Sequence, residues 1–368
     1  MTKAITLAVT GDLVLDEPDP GYWLAEIAPV LQEADLAIGH LEVPHTVSAE
    51  QLEGDVPAPG APLENLDALA RAGFDMVSLA GNHMADCGAQ GIADTIAELD
   101  RLGIGHAGAG ADLSRARTPA VAEAKGRRVA LLSYNCVGPQ AGWAKERSAG
   151  CAYLPLDTRD GAPVAPMSEI VGVPATVAEM LAEDIAEARK VADFVIVALH
   201  KGKVHTPSFV APYEREVARL AVDGGADAVV SHHAHIVRGI EFHRGRPIFH
   251  GLGNGCVVTR ALSPDQDNAA RREWATRRRE LFGFEPDPAY YLAPFHPEAV
   301  NAFIGTLALG DGPPRAAIVP VHVEAPGRPV LAAGPRARAI ADYLEKITRD
   351  AGLPPIAVND KGRVEAVS

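Results

Sequence analysis

Ala228-Val229-Val230-Ser231-His232-His233-Ala234-His235 opens as a short apolar run and closes on three imidazoles. The β-branched start fits a buried strand, and packing alone gives no reason for the histidines that follow it. The same arrangement recurs along the chain. Ile5 to Val9 runs into Thr10-Gly11-Asp12, Leu36 to Ile38 into Gly39-His40-Leu41-Glu42, and Met76 to Leu79 into Ala80-Gly81-Asn82-His83. Phe194 to Leu199 runs into His200-Lys201-Gly202, and Pro247 to Phe249 into His250-Gly251-Leu252-Gly253-Asn254. Val129 to Leu132 is a further run of the same kind.

Helical periodicity lies between these runs. It covers Ala61 to Ala72, Gln90 to Leu102, Val177 to Val191 and Tyr213 to Val222, with Leu63, Leu66 and Leu69, then Ile92, Ile96 and Leu99, marking single faces. Strands alternating with helices predict an α/β architecture. Near the end, Val319, Val321 and Val323 alternate as in a hairpin strand, and Ala337 to Asp350 reads as a closing helix. Gly138 to Pro174, rich in Gly, Pro and Ala, reads as a surface excursion. Around 265–280 the many charges predict a solvated helical insertion, a binding arm being the alternative. One domain spanning 1–368 with these insertions is the expected organisation.

Open α/β sheets bind ligands at the carboxyl ends of their strands. One Gly-Asp after a strand is ordinarily a turn, and one strand-end His is ordinarily hydrogen-bonded. Six such ends carrying Asp, Glu, Asn and His fit a shared cation site. Mixed oxygen and imidazole donors suit Mn, Mg, Zn, Fe or Ca, as one or two ions.

The 368 residues carry 34 Lys+Arg against 48 Asp+Glu, a net charge of -14, which argues against nucleic acid and against anionic membrane surfaces as partners. No run is long enough to span a membrane, and Met1 to Thr10 is too short for a signal-peptide core. Cys87, Cys136, Cys151 and Cys256 lack paired spacing, so free thiols and a cytoplasmic location are expected.

Gly11-Asp12, His40-Leu41-Glu42, Gly81-Asn82-His83-Met84-Ala85-Asp86, His200-Lys201-Gly202 and His232-His233-Ala234-His235, in that order, resemble the CapA family of poly-γ-glutamate capsule synthesis. Phe282 to Pro288 and Pro294 to Ala299 resemble the signature of one CapA-like branch. The resemblance implies a calcineurin-like metallophosphoesterase fold, a four-layer αββα sandwich with metals between strand-end loops. Carried over residue by residue, it implies Glu42, Asn82, His200, His233 and His235 as metal ligands, with Glu42 bridging. It gives His83 the role of assisting a leaving group.

The pattern also departs from the fold's usual Asp-x-His start, because Asp12 is followed by Leu13-Val14. Asp12 is therefore open to two roles, ligand or acid/base. His296, between prolines, is the second protic candidate, with loop packing as the alternative reading. His40, Lys201 and Tyr291 are candidate substrate-binding groups. The branch resembles peptide epimerases of lasso-peptide biosynthesis, which implies a ribosomal precursor peptide as substrate and a leader-peptide-binding protein as a delivering partner. A metal-dependent hydrolase of γ-glutamyl amide or phosphoester bonds and a non-catalytic binding module are the competing expectations.

Overall fold

Alternation along the strand Phe194–His200 assigns its two faces to different cores. Phe194, Ile196 and Ala198 join one apolar cluster, whereas Val195, Val197 and Leu199 join another. The strand Ile5–Leu15 does the same, with Ile5, Leu7 and Val9 on one side and Ala8, Leu13 and Leu15 on the other. Near-continuous apolar strands are what a sheet covered on both faces requires. The computed structural model describes residues 4–52, 58–260, 269, 272–273, 277, 280, 283–285, 287–293 and 296–367.

Two large sheets share the first of these cores. In one, the order is Arg328–Leu331, Arg315–Glu324, Asn301–Leu309, Ile5–Leu15, Leu36–Leu41, Met76–Ser78 and Gly105–Ala107, with Asn254–Val258 pairing alongside Ile5–Leu15. The other runs Ile240–His243, Arg246–Phe249, Ala228–His232, Phe194–His200, Arg127–Asn135 and Ala120–Ala124. Residues of both sheets meet in the shared cluster, for example Val9, Ile38 and Met76 with Leu131, Ile196 and Val230.

The outer face of the first sheet buries residues of the helices Pro20–Leu24, Ala28–Glu33, Asp67–Ala72 and Gly88–Leu102. The outer face of the second buries Val177, Leu181 and Ile185 of Ala175–Arg189 and Val217, Ala218 and Ala221 of Pro212–Asp223. Helix, sheet, sheet and helix therefore form four layers, the αββα sandwich expected from the sequence. The closing helix Gly334–Asp350 seats Ala341, Leu344 and Ile347 in the shared core.

The stretch 138–174 is less superficial than its composition predicts. Ala144, Cys151, Ala152 and Leu154 are fully buried, and Asn135 exchanges backbone hydrogen bonds with Ala152 and Leu154. Small residues there permit close packing, which weak helical periodicity does not reveal. The segment Ala61–Ala72 begins as a 3-10 turn, Leu63–Leu66, before the helix Asp67–Ala72. Most of the expected charged helix around 265–280 lies outside the described residues. Cys87, Cys136, Cys151 and Cys256 are all buried. Among the described residues no helix is long and apolar enough to cross a membrane.

Candidate metal centre

The site is built where the parallel strands of both sheets end. Asp12 sits at an irregularity in Ile5–Leu15, where register shifts against both Leu36–Leu41 and Asn254–Val258. Such a bulge re-aims a side chain that regular pleating would not present. The slip sets Asp12 level with His40 on one neighbour and with Asn254 on the other. Gly11 permits it, because a Cβ there would lie 1.8 Å from the backbone oxygen of Gly253. His233 (φ 86) and His235 (φ 51) take left-handed backbone conformations. Such strain in non-glycine residues gathers at functional sites.

Among the described residues, two groups of three bring donor atoms within 4.8 Å of one another: Asp12, His40 and His200, and Asp12, Glu42 and His235. Asp12 is the carboxylate common to both, where the resemblance implies Glu42 as the bridge. His200 Nε2 lies 2.7 Å from Asn82 Oδ1 and 3.1 Å from His233 Nδ1. Donors about 2.0–2.1 Å from one tetrahedral ion stand about 3.3 Å apart, so the spacing fits ligands of one small cation. Asp12 Oδ2, Glu42 Oε2 and His40 Nε2 are buried without a hydrogen-bond partner among the described residues. Orphaned buried acceptors are costly unless something cationic satisfies them. Asp12, Glu42, Asn82, His200, His233 and His235 thus fit a divalent cation.

The electrostatics separate the two carboxylates. Burial, reinforced by neighbouring Glu42, raises Asp12 to about 8. Burial also pushes Glu42 upward, but His235 beside it reverses this and holds Glu42 at about 2. His235 Nε2 stands 3.1 Å from Glu42 Oε1, and Glu42 and Asp12 outweigh burial to lift the imidazole to about 9. Asn254 Oδ1 accepts from His235 Nδ1 at 3.1 Å, which turns Nε2 toward Glu42.

His83 lies at the mouth of the centre, its Nδ1 donating to buried Asp86 at 2.7 Å. His296 borders a recess also lined by Asn254, Tyr290 and Ala293. Its Nδ1 accepts the Glu298 N–H at 3.1 Å, which fixes the ring. Phe284 stands edge-on between His296 and His205, 5.0 and 5.2 Å from each, and His205 in turn stacks 6.2 Å from His235. Phe282, Pro294 and Phe295 of the signature segments lie outside the described residues.

A family model described as bacterial capsule synthesis protein PGA_cap matches residues 6–257, a span that carries every donor of the centre. The chain belongs to the PGA_cap family. Among curated relatives of this PGA_cap chain, the PGA biosynthesis protein CapA of Bacillus subtilis (strain 168) is 29% identical over 230 residues, 62% of this chain and 54% of that protein. The capsule biosynthesis protein CapA of Bacillus anthracis is 25% identical over 269 residues, 68% and 59% of the two chains. A probable polyglutamine synthesis accessory protein of Mycobacterium tuberculosis (strain ATCC 25618 / H37Rv) is 32% identical over 196 residues, 52% and 47%. The alignments therefore span about half to three-fifths of these relatives. The calcineurin-like phosphoesterase YfkN from Bacillus subtilis aligns over 95% of this chain and 98% of that one, with 12% identity and a TM-score of 0.39.

Two of the expected substrate groups need correction in this PGA_cap chain. Lys201 is wholly buried, 3.2 Å from Glu214 and 3.3 Å from His250 Nδ1, so no substrate carboxylate reaches it. Its charge is spent inside the fold. His40 is also wholly buried, packed between His200 and His232, and faces the donors instead of an open pocket. Tyr291 is half exposed, with the Arg260 guanidinium over its ring. Sequence reasoning gave no role to Asn254, Ser78 or His205. Asn254 was visible as a strand end, but the partners of Ser78 and His205 come from distant chain segments.

Proposed function

We propose that this chain is a metal-dependent peptide epimerase that needs no organic cofactor and inverts one Cα centre of a ribosomally made, lasso-type precursor peptide in the cytoplasm. A leader-peptide-binding protein would deliver that substrate. One observation carries the reading: His296 shares its recess with Asn254, which bonds His235 and lies level with Asp12. In this reading the two protic groups border one cation-binding cluster. A divalent cation bound there would polarise a substrate carbonyl and acidify the adjacent Cα–H.

In this reading Glu42, Asn82, His200 and His233 would hold the cation, and Asp12, whose Oδ1 accepts the His233 N–H at 3.3 Å, would exchange the substrate proton through Oδ2 instead of ligating. On the other side of the reaction, His296 works through Nε2, since Nδ1 is taken by Glu298. One group removes the Cα proton and the C–H electron pair passes into an enolate. The other returns a proton to the opposite face, and exchange with solvent resets both groups. Val14 supports this over two-metal hydrolysis. It stands where the fold's usual imidazole would be, packed with Val43, Ala234, Ile236 and Val257.

The competing reading is a metal-dependent hydrolase of γ-glutamyl amide or phosphoester bonds, in keeping with the capsule-synthesis names of the relatives. The His83–Asp86 pair at the mouth favours it, since an oriented imidazole suits protonation of a leaving group.

Incubation of the metal-replete protein with candidate precursor peptides in deuterium oxide separates the two. Epimerisation predicts a gain of about one mass unit at one residue without cleavage, lost with chelator, and inversion of that residue on chiral analysis, lost in Asp12→Asn and His296→Ala. Cleavage fragments, or full inversion in His296→Ala, would overturn it.

A further inference from the structure

His40 occupies a position that neither substrate binding nor ordinary core packing explains. Its ring lies 4.7 Å from that of His200 and 4.6 Å from that of His232, wholly out of solvent. Nδ1 stands 2.9 Å from Ser78 Oγ, and that hydroxyl donates onward to the Gly39 carbonyl at 3.4 Å. The Ser78 oxygen therefore accepts from Nδ1–H, and the lone pair of the neutral ring is left on Nε2. That nitrogen is buried and meets no hydrogen-bond partner among the described residues.

Nε2 is nonetheless not enclosed by apolar groups. One nitrogen of the ring lies within 4.8 Å of donor atoms of Asp12 and His200. Gly81 keeps the adjoining space open, because a Cβ there would stand 3.1 Å from His40 Nε2 and 3.4 Å from His200 Cε1. An imidazole whose far nitrogen is held by a hydroxyl and whose near nitrogen faces a carboxylate and a second imidazole has the arrangement of an oriented metal ligand.

We propose that His40 is a metal ligand on the His200 side of the centre, held by Ser78, and that it selects a borderline-soft first-row cation over Mg2+ or Ca2+. With His200 and His233 it makes that side rich in imidazole. Imidazole favours Zn2+, Co2+ or Fe2+, whereas all-oxygen sets suit Mg2+ and Ca2+. This inference rests on the centre holding a metal, not on the reaction proposed for it.

Its test is metal binding by the purified full chain after chelator treatment. Co2+ is followed by its visible absorption, and Zn2+ and Mg2+ by competition with a chromogenic chelator. His40→Asn is expected to weaken Co2+ and Zn2+ by about 100-fold, to alter the Co2+ spectrum, and to lower the Co2+ to Mg2+ affinity ratio at least about tenfold. Ser78→Ala, which frees the ring without removing it, is expected to cost about tenfold. Unchanged affinity and spectrum in folded His40→Asn would overturn the assignment. Should that variant not fold, unchanged binding in Ser78→Ala would overturn it instead. A wild-type chain that binds none of these ions would defeat the metal centre itself, whereas metal binding without turnover would leave His40 standing and count only against the proposed reaction.

Discussion

Glu214 stands between two buried cations, 3.2 Å from Lys201 and 2.7 Å from Arg238. Lys201 follows the candidate ligand His200, and Arg238 also bonds Thr206 Oγ1 and the Lys203 carbonyl, so the cluster ties down the loop behind the centre. Removing one member of a buried pair leaves an uncompensated charge, at about 3–5 kcal/mol. Glu214→Ala strips the partner from both cations and should reach that range in urea unfolding. Lys201→Met should cost less, because Arg238 still holds the carboxylate. Equal losses would contradict this pairing. At this scale the sequence was legible for residue type and not for partner. Lys201 beside His200 looks like a substrate group until the burial of Glu214, thirteen positions on, is known.

At the scale of elements, the strand Ile5–Leu15 decides the centre through an irregularity. Its apolar pattern was readable as a strand, but the slip at Asp12 comes from two neighbouring strands, one of them drawn from residues 254–258. Gly11→Ala would drive a Cβ into the Gly253 backbone, which cannot move aside as a side chain would. The expected cost is about 3 kcal/mol, the upper part of the overpacking range. Urea midpoints and bound metal should fall together. A variant with wild-type stability would mean that the two strands separate freely there. The helices show the same division. Spacing located Gln90 to Leu102 within the helix Gly88–Leu102, whereas buried Gly142 and Ala144 lack a period that could have located them.

For the whole molecule, burial of neutral histidines sets the response to acid. Burial lowers His45, His232 and His250 to about 4 and His233 to about 3, from 6.5. As pH falls through 6.5 the unfolded chain takes up protons that the folded one refuses, so stability present above 6.5 is lost toward pH 4. Asp12, raised from 3.8 to about 8, and His235, raised from 6.5 to about 9, work in the opposite direction, two groups against these four. Thermal unfolding of the chelator-treated chain should therefore shift to lower temperature between pH 6.5 and 4.5. A flat profile over that interval would show that these imidazoles are protonated in the fold.

The sequence by itself determined that strands alternate with helices and that acids, amides and imidazoles collect at strand ends, because both are local patterns of side-chain type along the backbone. It also determined the family, through motifs kept in order. Only the tertiary structure decided that Asp12 belongs to both donor groups, that His40 turns inward while Lys201 is neutralised inside the fold, and that His296 shares a recess with Asn254. Those outcomes depend on register between strands far apart in the chain and on which polar groups burial forces together, and neither is encoded in any one stretch of residues.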